Sequence, residues 1–594
     1  MSIASSTGVA LQIPNGTCVV SGIHPPANLV IIGAGPASIL QRPPSDPSSF
    51  DGVVNVNATG VSILNLTVDG NKANNLNASA NIYCTNTCGN LLIQNVASNN
   101  AVSEGINLSS TLDAANKTET RLTGLVLSGN ARAGIYLDQA SNVIIDHPVV
   151  RSTGNVPVSN IGTNAGITNG ISNIIIKGAD VDCGGGVTVG IGLGGSFNQL
   201  TTATTLNAIT VTGSIIRHCK GSPYGFILQA NNSIAADNIM VDSGVVLFNS
   251  INSVFSRNIL DWNSTNNNAT IGIDPGGCIF CTISGNWLGP MNGATAVTNG
   301  TGINTGSTTR LNLSGNVIIL GTPSTVGIGG PPYDGGGGFA FGVQTNETRI
   351  VNNIVECNGC GAGITSGGGS GVWVDGNNVT GSPNPTGQAF GITSQGVQWG
   401  RNRWNTNGTD IFQVVSASAV VFPDAAFVIE LTGTNAVSTI MTNQQSSYIG
   451  KVPWSFITNK GSSYTVNPTL TFTGGGCSVE PTATAQIEGA NGVGDGTIGQ
   501  ISMVTNGSGC TSAPAIGVSG GGGGSGAAFT ANFQLPSIIS GRTITVITDS
   551  SLVIHNSCLG IGTICTRSGG DLTTVAGGYY QFVSNANGVL FQSQ

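Results

Sequence analysis

Apolar residues in this chain fall in short alternating runs, and the runs recur as a unit. Residues 349–405 write that unit three times, as RIVNNIVECNGCGAGITSGGGSG, VWVDGNNVTGSPNPTGQAFGITSQ and GVQWGRNRWN. In each copy an apolar residue is followed three places on by Asn, and two further by a second apolar residue. The anchors are Ile350, Asn353 and Val355; Val374, Asn377 and Val379; Trp399, Asn402 and Trp404. Upstream the Asn column is expected to continue through Asn316, Asn286, Asn258, Asn238 and Asn130. The spacing is irregular, about 20 to 37 residues, within the range of solenoid repeats. Period-two alternation without helix start signals predicts strands. The pattern therefore predicts a coil of short parallel strands whose Asn side chains stack into an amide ladder, a parallel β-helix.

After Asn405 the column stops and a different repeat begins. GSSYTVNPTLTFTGGG at Gly461 matches GSGCTSAPAIGVSGGG at Gly507, which predicts a small β domain with internal symmetry. The Gly520–Gly526 run reads as a turn or linker. The expected division is 1–415 for the coil with its cap, 416–460 for a transition, 461–535 for the repeat domain and 536–594 for a last β module. The fold class is all-β: a right-handed parallel β-helix with C-terminal sandwich-like modules.

Composition narrows the partners. Only 7% of the 594 residues are charged, and the formal net charge is −8. Eighteen Lys and Arg argue against nucleic acid and anionic membranes, and make a neutral polymer a better ligand than a polyanion. No run reaches the roughly 18 apolar residues of a spanning helix. Ninety glycines fit a turn at every coil corner. Thirteen cysteines suggest an oxidising compartment, with Cys84/Cys88, Cys278/Cys281, Cys357/Cys360 and Cys558/Cys565 locally close. Zinc is the competing reading of the two C-x-x-C pairs. The start, MSIASS, lacks the basic and apolar regions of a signal peptide. A cell surface, secreted or virion location is expected.

The stretches GTCVVSGI, NLVIIGAGPASILQR and GVSILNLTVDGNKA resemble the entry of pectate-lyase-like right-handed β-helix proteins, and the resemblance runs from Pro14 to Val415. It implies the fold. Polygalacturonase-like members carry an Asp pair followed by Gly-His-Gly and Arg-Ile-Lys motifs, and the two later motifs are absent here. Pectate lyases hold Ca²⁺ in a cluster of acids. By that analogy Asp237, Asp242 and Asp261, near Arg217 and Arg257, are a candidate hard-cation site.

The strongest candidate chemistry is Asp180-Val181-Asp182. With Val181 inward, both carboxylates face outward about 6.6 Å apart, near the separation of inverting glycosidases, roughly 6.5–9.5 Å. Aligning coils sets Arg151 and Arg217 beside Asp182, and Val149 and Ile215 beside Asp180. That environment is expected to keep Asp182 ionised as base and Asp180 protonated as acid. His218 and Lys220 follow closely and, with Arg151, would hold substrate. Trp262 and Trp287 are candidates for stacking on sugar rings; Trp399 and Trp404 are expected in the core. The competing view of the acids is an Arg–Asp–Arg surface ladder without catalysis. The leading function is a polysaccharide-degrading hydrolase or lyase. The alternative is a non-catalytic adhesin, tail spike or fibre, with assembly as a homotrimer or other homo-oligomer.

Overall fold

The computed structural model describes residues 10–46, 52–75, 80–85, 88–109, 119–137, 140–151, 161–163, 171–184, 189–194, 206–219, 224–241, 244–247, 250–261, 271–289, 301–305, 308–320, 326–329, 347–357, 362–366, 371–380, 388–392, 398–399, 402–405, 411–422, 428–442, 450–452, 454–487, 496–533, 543–558, 563–585 and 589–593. The chain divides into two compact units, Met1–Asp274 with Phe280–Thr295, and Pro275–Ile279 with Ala296–Gln594.

The first unit is a right-handed parallel β-helix. Each coil lays down up to three short strands, and each strand pairs in parallel with its equivalent one coil on. One such coil consists of Ser172–Lys177, Asp180–Asp182 and Ile191–Leu193. Its strands pair with Asn207–Thr212, Ile215–Arg217 and Tyr224–Leu228 of the next coil. Strands this short cannot bury a face alone, so the fold depends on stacking. The inward column Val150, Val181, Ile216, Met240, Leu260 and Leu288 has no solvent exposure. Burying each such side chain is worth about 1.5–3 kcal/mol.

Between the first and second strands of a coil lies a two-residue corner. Its first residue adopts a left-handed backbone, as at Gly178, Gly213, Asp237, Arg257 and Gly285. Its second is the ladder residue. The Ser214 N–H donates to Asn238 Oδ1 at 3.0 Å. Asn238 Nδ2 donates to Asn258 Oδ1 at 2.9 Å, and Asn258 Nδ2 to Asn286 Oδ1 at 3.0 Å. Each amide also donates to a backbone carbonyl in the first strand of the preceding coil, for example Asn258 to Ala235 at 3.1 Å. The buried amides are therefore satisfied.

Asn130 is a correction. The register Val126–Val149–Asp180–Ile215 gives that corner position to Leu125, Pro148, Ala179 and Ser214 in the earlier coils. Asn130 caps a different corner, accepting from the Ala101 N–H at 2.9 Å and donating to the Ser98 carbonyl at 3.1 Å.

In the second unit the same coil recurs. Its ladder runs Asn316, Asn353, Asn377, Asn402, with amide contacts of 2.9, 3.0 and 2.8 Å. Trp399 and Trp404 register on the fully buried Val374 and Val379; their side chains are not among those described. After the coil, Ile411–Val415 and Val428–Thr432 pair in parallel, and the latter pairs with Thr543–Thr548. Gly578–Ser584 and Leu590–Gln592 extend this sheet over a core of Ile429, Leu431, Val546 and Phe582. The intervening repeat segment begins and ends on one antiparallel pair, with Trp454 opposite Asn532. Its two copies meet as Thr469–Thr473 against Ala515–Ser519. Each copy's Gly-rich turn accepts from the other: Thr511 N–H to the Gly475 carbonyl, Thr465 N–H to that of Gly521.

Two of the local cysteine pairs are bonded, Cys84–Cys88 and Cys558–Cys565. Cys360 lies outside the described residues. Cys183–Cys219 and Cys477–Cys510 join distant positions that spacing alone did not single out.

Candidate functional site

The second ladder of the first unit presents two outward columns side by side. One runs Val126, Val149, Asp180, Ile215, Ile239, Ile259, Trp287. Asp180 is the single polar member of that run. The other runs Gln41, Asp69, Asn99, Ser128, Arg151, Asp182, Arg217. Six interstrand steps make the second column about 29 Å long. Its members bond along the column: Gln41 Nε2 donates to Asp69 Oδ2 at 3.1 Å, and Ser128 Oγ to Asn99 Oδ1 at 2.8 Å. The two columns follow from the register of the repeat across loops of unequal length.

At Asp180 and Asp182 the columns carry their densest charge. The expected register holds, with Asp182 between Arg151 and Arg217 and Asp180 between Val149 and Ile215. The side chains do not follow it. Both guanidinium groups reach diagonally to Asp180, Arg151 to one carboxylate oxygen and Arg217 to the other. Arg217 Nε also lies 3.4 Å from Asp182 Oδ2. The reason is reach: an Arg side chain spans more than the column spacing of about 4.8 Å, and its planar fork bridges two acceptors. Asp180 thus keeps Val149 and Ile215 beside it in its column, but its carboxylate faces two cations as well as apolar neighbours.

Asp182 has other partners. The Gly184 N–H donates to its Oδ1 at 2.9 Å, and His218 Nδ1 lies 3.0 Å from the same oxygen. Burial works to raise the Asp182 pKa, but the Gly184 N–H, His218 and Arg217 outweigh it and hold the carboxyl below its ordinary value. Accepting from Nδ1–H leaves His218 Nε2 with the free lone pair. The Cys183–Cys219 disulfide joins the same two coils at the residues that follow Asp182 and His218.

The remaining candidates scatter. Asp237 sits at a coil corner, where Arg257 grips it through two contacts of 2.8 Å. Asp261 continues the polar column beyond Val241. Asp242, Lys220 and Trp262 lie outside the described residues. Among the described residues no three His, Cys, Asp or Glu are placed to hold a metal ion; Asp242, the third acid of the candidate site, lies outside them. Trp287 is half-buried and is the last member of the aliphatic column within the first unit.

No protein-family model matches the chain, and no curated protein matches its sequence. Solved structures similar to this chain share low sequence identity with it. The A-module of mannuronan C-5 epimerase AlgE6 from Azotobacter vinelandii is 12% identical, with a TM-score of 0.32, covering 68% of this chain and 90% of its own. The N-terminal fragment of bacteriophage phi29 gene product 12 is 14% identical, with a TM-score of 0.42, covering 72% and 74%. A mannuronic acid specific polysaccharide family 6 lyase from human gut microbiota is 12% identical, with a TM-score of 0.33, covering 67% and 81%. The class defined by the strand pairing is a right-handed parallel β-helix. Among the described residues no helix is long and apolar enough to cross a membrane.

Proposed function

We propose that this chain is a polysaccharide-binding β-helix protein of a cell surface or virion, and that its ligand lies along the second-ladder face. The observation that carries this reading is the adjacency of the two columns. A sugar ring presents an apolar C–H face and a hydroxyl edge, and the aliphatic column ending in Trp287 lies beside a column of amide, hydroxyl and charged groups. Acids and guanidinium groups on the face nearly cancel, and the whole chain has few cations, which favours a neutral polymer. The test is affinity electrophoresis through gels cast with a panel of neutral and acidic polysaccharides. A neutral polymer should retard the protein, and Trp287→Ala should weaken that retardation about tenfold, or 1.4 kcal/mol. Equal retardation of wild type, Trp287→Ala and Ile239→Ser would remove this face from recognition.

One contact favours a second reading, in which the face also cleaves what it binds. His218 on Asp182 is an imidazole oriented by a carboxylate, the arrangement of a proton carrier. Asp182 and His218 would then exchange protons at the bond, while Asp180 and Arg217 fix their positions and Arg151 and Lys220 hold the chain. Incubation with the same panel distinguishes the readings. Reducing ends alone mean hydrolysis, ultraviolet absorbance from unsaturated ends means β-elimination, and neither product leaves binding alone. A homotrimeric or other oligomeric assembly is tested by light scattering on the eluting protein.

A further inference from the structure

The Cys183–Cys219 disulfide has a particular place. Cys183 follows Asp182 in sequence, and Cys219 follows His218. The sulfurs join two consecutive coils, and the Cys183 N–H donates to the Arg217 carbonyl at 3.1 Å. Asp182, Cys183, Cys219 and His218 thus form a ring, closed on one side by the covalent bond and on the other by the 3.0 Å contact of His218 Nδ1 with Asp182 Oδ1. Both cysteines are buried, 5% and 2% exposed, whereas the His218 side chain is 49% exposed. His218 also has a left-handed backbone, φ +54°, which L-residues rarely adopt. Little packing holds the ring, and its backbone is in a sparsely populated state; the neighbouring covalent anchor remains to hold it. The other described disulfide of the first unit, Cys84–Cys88, spans four residues and joins no two coils.

We propose that the Cys183–Cys219 disulfide is a clasp that positions His218 on Asp182, so that the charged cluster keeps its arrangement only in the oxidised protein. Cleavage by an external dithiol breaks the S–S bond, leaves each sulfur as a thiol and converts the reductant to its own disulfide. Cys219 is then untethered, the His218 backbone relaxes towards the extended region, and the ring leaves Asp182. The charged groups around the ring are Asp182 across the coil step, Asp180 and Arg151 beyond it, and Arg217 on its own strand. Asp242, which follows Val241 in sequence, lies outside the described residues.

The test reads the ring directly and needs no polysaccharide. The full chain is labelled with ¹⁵N-histidine, and its imidazole nitrogens are observed at a pH where the rings are neutral. The chain has four histidines, and His218→Gln assigns the signal. In the oxidised protein His218 should show the Nδ1–H tautomer. Asp182→Asn should abolish that signature and Asp242→Asn should leave it. In the Cys183→Ser/Cys219→Ser variant, and in wild type reduced with dithiothreitol, the signal should move to the tautomer mixture of free histidine. His147, whose Nδ1 lies 2.8 Å from Asp146, is the internal control and should not move. Retention of the Nδ1–H signature by a folded double variant or by reduced wild type overturns the clasp, as does indifference to Asp182→Asn. If the double variant does not fold, reduced wild type with its thiols counted by mass decides. If the buried bond resists reduction, the variant decides. Loss of the signature with unchanged polysaccharide binding keeps the clasp and removes this cluster from the binding face.

Discussion

Asn353 shows what one side chain does for a coil. Its Oδ1 accepts from the Asn316 backbone and side chain, and its Nδ2 donates to Asn377 and to the Leu313 carbonyl. Replacing it with Ala leaves buried groups on both neighbouring coils unpaired. We expect Asn353→Ala and Asn377→Ala each to cost about 1–3 kcal/mol, read from denaturant midpoints. Unchanged midpoints would mean that water replaces the ladder. Asp182 belongs to the same scale. Its folded pKa is depressed, so it contributes stability above its unfolded value of about 3.9, and loses that contribution as pH falls through the lower folded value. Wild type should therefore melt above Asp182→Asn at neutral pH, and the two curves should converge below about pH 4. A constant gap across the acid range would mean that the difference is not the carboxylate's charge.

At the scale of the strand and its corner, the left-handed residue before the ladder position decides how the chain turns. Glycine fills it at Gly285 and Gly376, but Asp237, Arg257 and Asn352 fill it elsewhere. An ideal Cβ on Gly376 would lie 2.1 Å from Asn352 Oδ1, whereas on Gly285 the nearest atom is Arg257 Cγ at 3.7 Å. Gly285→Ala should thus carry only the left-handed backbone cost, about 1–2 kcal/mol. Gly376→Ala should cost more, because Asn352 must also move. Thermal melts of the two variants compare them, and equal losses would argue against the close approach. The column of Asn between apolar anchors made this corner legible in the sequence. The Asn130 assignment failed because an Asn at a neighbouring corner obeys the same local rule, and only strand register separates the two.

At the scale of the molecule, the chain closes on itself near its C-terminus. Val428–Thr432 finds its sheet partner at Thr543–Thr548, more than a hundred residues later, while Trp454 and Asn532 stand opposite each other. That is the geometry of an inserted domain, whose ends lie close together. Excising 455–531 and joining the ends with a short Gly-Ser linker should leave a folded protein with its β-rich circular dichroism spectrum. Truncation after Trp454 should do worse, because it removes Ile544, Val546 and Phe582 from the core that buries Ile429 and Leu431. Equal solubility of the two fragments would count against the insertion.

The sequence by itself determined the coil. Period-two alternation chooses strands, inward aliphatic residues choose a stacked interior, and a polar amide at a buried corner has nowhere to bond except the same amide one coil on. These are local or repeating constraints, so a single chain displays them. The sequence also placed Asp180 beside Val149 and Ile215, and Asp182 beside Arg151 and Arg217, because register follows from the repeat. Where each side chain goes was decided only in three dimensions. Arg151 and Arg217 choose Asp180 over their column neighbour because a long planar cation reaches diagonally. Cys183 finds Cys219 because the coils bring their strand ends to a Cα separation of 4.9 Å, 36 residues apart in sequence. Separation in sequence and separation in space part company wherever loops of unequal length are folded out of the coil. The charged cluster and the disulfide beside it both span such a loop.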